Sequence, residues 1–440
     1  MLVKTNEPHP HYTLNQETKL KNSLLYGVGF LELANACDFA ANVWNRIPVP
    51  VFAIVLMATG ATVALLLSVY AYRDAKLSLK NIRLLRMERH RLHVLYSSHR
   101  HDAQVLHYLG ARLDVNFREF GTEVVDRIGM DFFMGIGAVL VAVGTYMAIG
   151  GANPQVFLVS NLLSGYVGNS LPAAYGVCNA VWSVYVTRRA HLHHVVCVRE
   201  IGRSDEHSHV LSALKRRVRA VQRHAILNGM TGILGSAASL VTATQWWGYV
   251  ILVVCIISSV YCNYIWRHGI GYDRPLQVEM DSVTERVTKK SLVKELSFAL
   301  VAQKTLLRPP PEGSLPKLLT QYPVDLPSVM SFLQMNYLFE DFCLLVVADK
   351  DLSESIFGTP LPTEITISPH MFLSPGDIHS HCLLEIARSC VDEVGSSRFR
   401  DRERYLVETL GCYLSIPRVE PGEKNVEGGE KDIERGEGGA

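Results

Sequence analysis

The chain has 440 residues, 48% hydrophobic and 19% charged, with 43 Lys and Arg against 42 Asp and Glu, so a net charge near +1 identifies no partner by itself. Its nine cysteines are scattered with no CxxC pair, which argues against a disulfide framework or a zinc cluster. The averages conceal a segregation: 26 residues without a charge lie between Arg46 and Arg73, 56 between Asp131 and Arg188, and 42 between His224 and Arg267. About 18 apolar residues suffice to cross a bilayer core of roughly 30 Å. A soluble domain rarely runs so far without charge, so these stretches are read as membrane spans.

The first 22 residues are polar and lack a short apolar core with a small-residue cleavage site, so no cleaved signal peptide is expected and the first span is the targeting signal. Residues 24–45 are mostly apolar but contain Glu32 and Asp38. Charge within a span is costly, which favours an interfacial amphipathic helix in an extracytosolic N-terminal segment, 1–48. The alternative is a sixth span with a cytosolic N-terminus. The first span covers about 50–71. The longest charge-free stretch divides at "GGANPQ" (150–155), where Gly, Asn and Pro signal a turn, giving spans near 130–150 and 156–187. The next divides at "TQWWG" (244–248), giving spans near 225–243 and 247–266.

Loop 72–129 holds 11 Lys and Arg, loop 188–224 holds nine against three acids, and the two short connections hold none. Cytosolic loops are enriched in these cations; both long loops and the C-terminus are therefore expected in the cytosol. All five tryptophans (Trp44, Trp182, Trp246, Trp247 and Trp266) fall near span ends, as indoles at the headgroup level would. Beyond Arg267 the composition becomes that of a soluble protein, with helices expected over 280–307, 326–348 and 376–414 and "LLVVA" (344–348) as a possible strand. Pro309, Pro310 and Pro311 close the first of these helices. The Gly- and Glu-rich tail 418–440 has too little apolar content to fold. The expected fold class is all-α: a polytopic bundle of about five spans within 49–266 and a mainly helical cytosolic domain over 267–417.

Candidate sites follow from this threading. The third span carries Asn161, Ser164, Asn169, Ser170, Pro172 and Asn179, a set open to two readings: interhelical hydrogen bonds, or an intramembrane ligand site at a proline kink. Gly232 with Ser236, and Gly235 with Ser239, have the small-xxx-small spacing of a close helix seam, within the bundle or in a homo-oligomer. Eleven of the 17 histidines lie in the two long loops. His90 with His93, and His191 with His194, share helix faces, with His193 between the latter pair. Their placement resembles the membrane desaturases and hydroxylases, whose di-metal centres use histidine boxes on cytosolic loops. The pattern departs from that family's HxxxH and HxxHH, since only HRLH, HRH, HLHH and HSH occur here.

The plainer reading is a basic collar for anionic lipid headgroups, formed by Arg73, Lys76, Lys80, Arg83, Arg188, Arg189, Lys215, Arg216, Arg217 and Arg219. Each such cation near the leaflet surface is worth roughly 1 kcal/mol. No phosphate loop, HExxH, GxSxG elbow or paired acidic cluster within a span is present, and "HSHCLLE" (379–385) reads as an ordinary amphipathic helix.

"WNRIPVPVFAIVLMATGATVALLLSVYAYRDAKLSLKNIRLLR", residues 44–86, resembles the first span and basic exit helix of uncharacterised multi-pass membrane proteins of filamentous fungi. The resemblance covers about a tenth of the chain and implies a eukaryotic membrane setting, with no catalytic residues to carry over. The leading expectation is a non-enzymatic membrane scaffold or accessory component without a cofactor, in contact with anionic lipid and a cytosolic protein but no nucleic acid. The alternatives are a channel, carrier or lipid-handling protein using the third span, and a histidine-ligated metal oxidase.

Overall fold

Helix dominates, and the charge-free stretches are almost wholly helical. The computed structural model describes residues 2–4, 12–14, 19–22, 26–44, 49–202, 208–276, 287–308, 314–319, 324–358, 364–365, 367–373 and 379–417. The tail 418–440, the triple proline and His207 lie outside them.

Three short strands open the chain: β1 (Leu2–Lys4), β2 (Tyr12–Leu14) and β3 (Lys19–Lys21). A 3-10 turn over Tyr26–Phe30 leads into α1 (Leu31–Ala34) and, after a turn at 35–38, α2 (Phe39–Val43). Pro50, extended at φ −63° and ψ 142°, then starts the 48-residue helix α3 (Val51–Ser98). At 1.5 Å per residue α3 is about 72 Å long, so more than half of it projects beyond a 30 Å bilayer core. Helix α4 (Ala103–Gly121), capped by Asp102, continues through a widened π turn at Thr122–Gly129 into α5 (Met130–Ala148).

The turn at Gly150–Asn153 returns the chain into α6 (Pro154–Asn161), with Asn153 as N-cap and Pro154 at the first helical position. A second π turn, Leu162–Gly168, joins α6 to α7 (Asn169–Ile201), which contains Pro172. The missing Pro172 N–H frees the carbonyl of Gly168, where the widened turn ends. Helices α8 (Ser208–Thr242) and α9 (Gly248–Ile265) complete the bundle.

Among the described residues, four helical runs, Val51–Ser98, Ala103–Ala148, Ser208–Thr242 and Gly248–Ile270, are long and apolar enough to cross a membrane. Their outward faces carry exposed apolar side chains, with Val51 77%, Met230 56% and Ile257 65% exposed. A belt of this extent is covered by lipid in a membrane protein. The inner faces are small. A Cβ on Gly176 would lie 1.9 Å from Ser236 Oγ and 2.3 Å from the Gly232 carbonyl oxygen, so the expected seam of Gly232 and Ser236 packs on α7.

Residues 26–44 do not lie along a surface. Tyr26 sits under Arg267 (5.4 Å to the ring centroid), Gly29 abuts Asn263, and Glu32 lies beside Gly235 and Cys255. Further along, the Cys37 carbonyl abuts Gly60, Asp38 accepts from Tyr249 Oη at 2.8 Å, and Trp44 packs edge-on against Phe52. The segment thus runs antiparallel to α9 through the bundle. Asn35 and Asp38 are buried. The charges that argued against burial, Glu32 and Asp38, have partners inside the bundle.

At the basic end, β4 (Asp273–Pro275) pairs antiparallel with β3. Helices α10 (Lys289–Leu306), α11 (Leu315–Leu318), α12 (Leu326–Met335), α13 (Phe339–Ala348) and α14 (Lys350–Phe357) follow, then β5 (Glu364–Ile365) and the 36-residue α15 (Ser380–Ser415). "LLVVA" belongs to α13 rather than to a strand. Because β1 pairs with both β2 and β5, the N-terminal strands and the C-terminal helices share one end of the bundle.

The long "loops" are helices, and they share a core with the C-terminal region. Ala111 and Val115 of α4, Cys197 and Ile201 of α7 and Leu214 of α8 pack with Leu296, Phe342, Phe399 and Leu410. One apolar cluster thus includes residues from both sides of Arg267.

Candidate functional site

The polar interior begins where the helices leave the belt. Asp74, Ser78, Asn81 and Glu88 form one face of α3, at spacings of four, three and seven. Arg127, fully buried, forms a bidentate pair with Asp74 (3.0 and 2.8 Å) and bonds both Glu123 oxygens at 3.1 Å. Ser78 and Asn81 donate to the same Glu123 carboxylate at 2.6 and 3.0 Å, and Asn81 reaches the Lys21 carbonyl at 2.7 Å, tying β3 to the cluster. Asp131 stands beside Asp74, and neither of its oxygens has a donor.

Farther from the belt, Arg274 of β4 bridges α3 and α4. It bonds Glu88 at 2.9 and 2.6 Å and Glu119 at 3.1 and 2.6 Å, and its guanidinium lies 5.0 Å from the Tyr405 ring centroid. Arg112 also pairs with Glu88 at 3.2 Å.

Within the bundle, a small, partly open cavity is lined by Asp126, Tyr175, His224, Asn228, Asn263 and Trp266, among others. Asp126, Glu32 and Asp131 all lie within electrostatic reach of Tyr175. Beyond Tyr175, Glu32 accepts from Asn35 at 3.0 Å. Nearer the turn end, Asp38 is held by Asn42 at 2.9 Å and by Tyr249. A succession of ionisable groups therefore runs from the basic end into the apolar bundle. Glu32, Asn35, Asp38 and Asn42 recur every three or four residues, a polar helical stripe visible in the sequence but taken there as a surface face.

The third-span candidates are engaged in helix packing. Asn169 Nδ2 donates to the Ser239 carbonyl at 2.9 Å, and Asn228 donates to Asn179 Oδ1 at 2.9 Å. Ser236 donates to the Pro172 carbonyl at 3.2 Å, Ser164 to the Ser160 carbonyl at 3.0 Å, and Asn161 Oδ1 lies against Gly165. Ser170 is exposed on the outer face. Two of the expected belt tryptophans turn inward: Trp182 donates to Asp126 at 3.0 Å and Trp266 to the Asn22 carbonyl at 2.8 Å.

The collar residues divide. Arg73, Lys76, Arg83, Arg188, Arg216 and Arg219 are exposed and Lys80 and Lys215 half-buried, whereas Arg217 is buried and Arg189 pairs with Asp114 at 2.7 Å. The histidines disperse as well. His90, His93 and His191 are exposed and His194 is half-buried, while His193 turns inward, because successive helical positions lie about 100° apart.

Among the described residues, the one group with metal-ligand proximity is Asp114, His193 and Cys412, whose donor atoms lie within 4.8 Å of one another. Arg189 already occupies this group, donating to Asp114 and to Cys412 Sγ at 3.0 Å. A guanidinium there supplies the positive charge a metal would bring and repels a second cation, so the residues do not fit a metal ion.

Burial, and then the Arg189 cation, hold the His193 imidazole down at about 4, with Glu408 and Asp114 opposing. The folded value lies below the ordinary one near 6.5, so the unfolded chain binds the proton first. This contribution to stability is complete above pH 6.5 and is lost as pH falls towards 4, on the order of 3 kcal/mol. Thermal unfolding of the detergent-solubilised protein should therefore show a falling midpoint over that interval, with His193→Gln flattening this part of the profile.

Comparison with known proteins closes no gap. The chain matches no protein family, no curated protein and no solved structure. The reading of its function rests on its own geometry.

Proposed function

We propose that this chain is an integral membrane carrier or channel for a small polar solute, with proton movement at Glu32. The carrying observation is a carboxylate-bearing, broken helical segment at the centre of an apolar bundle. Ionisable groups at membrane depth are costly and mark ion and substrate pathways. Interrupted helices are tolerated there only where protein or a water-filled cavity surrounds them, and carriers use such breaks for binding.

The reading includes six crossings: the broken segment 26–44 and five helical ones, with the run 154–187 returning the chain between α5 and α8. An even number agrees with strands from both halves pairing at one end. In this reading that end faces the cytosol, which the Lys and Arg asymmetry favours. Glu32, rather than the third span's amides, is the solute-linked group, because those amides already hold helices together.

The test uses purified full-length protein in liposomes containing a pH-sensitive dye, with a potassium diffusion potential imposed. The potential should drive proton entry that Glu32→Gln reduces at least tenfold, while Gln keeps the shape and the Asn35 contact. No flux above protein-free liposomes, or unchanged flux in a folded Glu32→Gln protein, would sink the reading. A scaffold role is the second reading, favoured by the helical unit at the basic end; it predicts no flux in either protein.

A further inference from the structure

At the basic end, α4, α7, α8 and α15 surround a small recess, about half open to solvent, lined by Arg118, Arg189, His193, Arg217 and Glu408. Val186 and Val221 also line it, on the side of α7 and α8 nearest the charge-free stretches. Three guanidiniums meet two carboxylates there, Glu408 on Arg118 and Asp114 on Arg189.

Arg217 shares Glu408 with Arg118, and its guanidinium lies 5.7 Å from the Tyr272 ring centroid. Its side chain is 8% exposed, and its nearest carboxylate oxygen, on Glu408, is 3.9 Å away, beyond hydrogen-bond distance. Nη1 caps the end of the last bundle helix, donating to the Gly269 and Ile270 carbonyls at 3.1 and 2.5 Å. Helix capping accounts for that nitrogen alone. Nη2 of Arg217 and Nε of Arg189 are buried without an acceptor, and buried donors of charged groups are rarely left unmade.

We propose that this recess binds a phosphate group, with Arg217 and Arg189 as its principal donors. Guanidinium forks match phosphate oxygens and give short, charge-assisted hydrogen bonds, and the free donors, surplus charge and open space coincide here. Arg189 and Arg217 are the two collar residues turned inward, and the site differs from the exposed remainder, whose side chains offer diffuse attraction without a recess. It is independent of the carrier reading. The phosphate belongs either to a lipid headgroup entering past Val186 and Val221 or to a soluble compound.

The experiment titrates delipidated, detergent-solubilised full-length protein at fixed ionic strength with dioctanoyl phosphatidic acid, dioctanoyl phosphatidylcholine or inorganic phosphate, reading the thermal midpoint. Saturable binding of phosphatidic acid at least tenfold tighter than phosphatidylcholine, with no response to inorganic phosphate, assigns the site to lipid. Saturable binding of inorganic phosphate as well assigns it to the phosphate group itself. In either case Arg217→Gln should weaken binding about tenfold or more, the loss of one charge-assisted contact. Val221→Phe, which fills the recess and keeps every cation, should do the same and decides the matter if Arg217→Gln fails to fold. No saturable binding by either phosphate, or affinity unchanged in Val221→Phe, would overturn the proposal.

Discussion

Arg274→Met should cost about 3–5 kcal/mol of stability, the penalty for stripping a buried pair of its counter-ion. Arg274 is 6% exposed and holds two carboxylates from two helices, Glu88 and Glu119, each 4% exposed or less. Without it both lie in a poorly solvated interior, with Arg112 left to serve Glu88 alone. Typical domain stabilities are only about 5–15 kcal/mol, so the loss should be visible as poor yield and a much lower unfolding midpoint. The triple change Arg274→Met, Glu88→Gln and Glu119→Gln should recover part of it, because the stranded charges are gone. Equal destabilisation of the single and triple variants would show that packing on Tyr405, rather than charge, is what Arg274 supplies.

Gly60→Val should have the second largest effect. A Cβ at Gly60 would lie 2.3 Å from the Cys37 carbonyl oxygen. That oxygen is backbone, in the turn between α1 and α2, and cannot swing aside as a side-chain end can. Either α3 or the broken segment must move, and overpacking of this kind costs about 1–3 kcal/mol or more. Displacement of 35–38 would also loosen the Asp38 contacts with Tyr249 and Asn42. The expected outcome is a lowered midpoint and faster labelling of Cys37 by a membrane-impermeant maleimide, with Gly60→Ser intermediate. If Gly60→Val leaves both unchanged, residues 26–44 are not packed against α3 as described.

The position of this segment is where one-dimensional reasoning met its limit. Hydropathy penalises Glu32 and Asp38 wherever they stand, because it has no term for their partners. Asn35 and Asn42 are local and could have been found in the stripe Glu32, Asn35, Asp38 and Asn42. Tyr249 lies 211 residues beyond Asp38, and nothing near Asp38 announces it. The collar divided for the same reason. Composition counts Arg189 and Arg217 with Arg188 and Arg216, while helix rotation turns the first two towards Asp114 and the carbonyls ending the last bundle helix. Spacing likewise joined His191, His193 and His194, and the same rotation separated them.

The sequence by itself determined the all-α class, the apolar stretches suited to a bilayer, the turn at Gly150–Asn153 and the Gly232–Ser236 seam. These depend on residue type and local periodicity, which a single strand of text carries. Only the tertiary structure decided that the N-terminal segment threads the bundle, that strands from both ends of the chain pair with one another, and that buried ion pairs knit the long helices to the C-terminal region. Each of those facts depends on side chains far apart in sequence meeting where water is excluded. There the free energy of a charge is set by its partner, not by its neighbours along the chain.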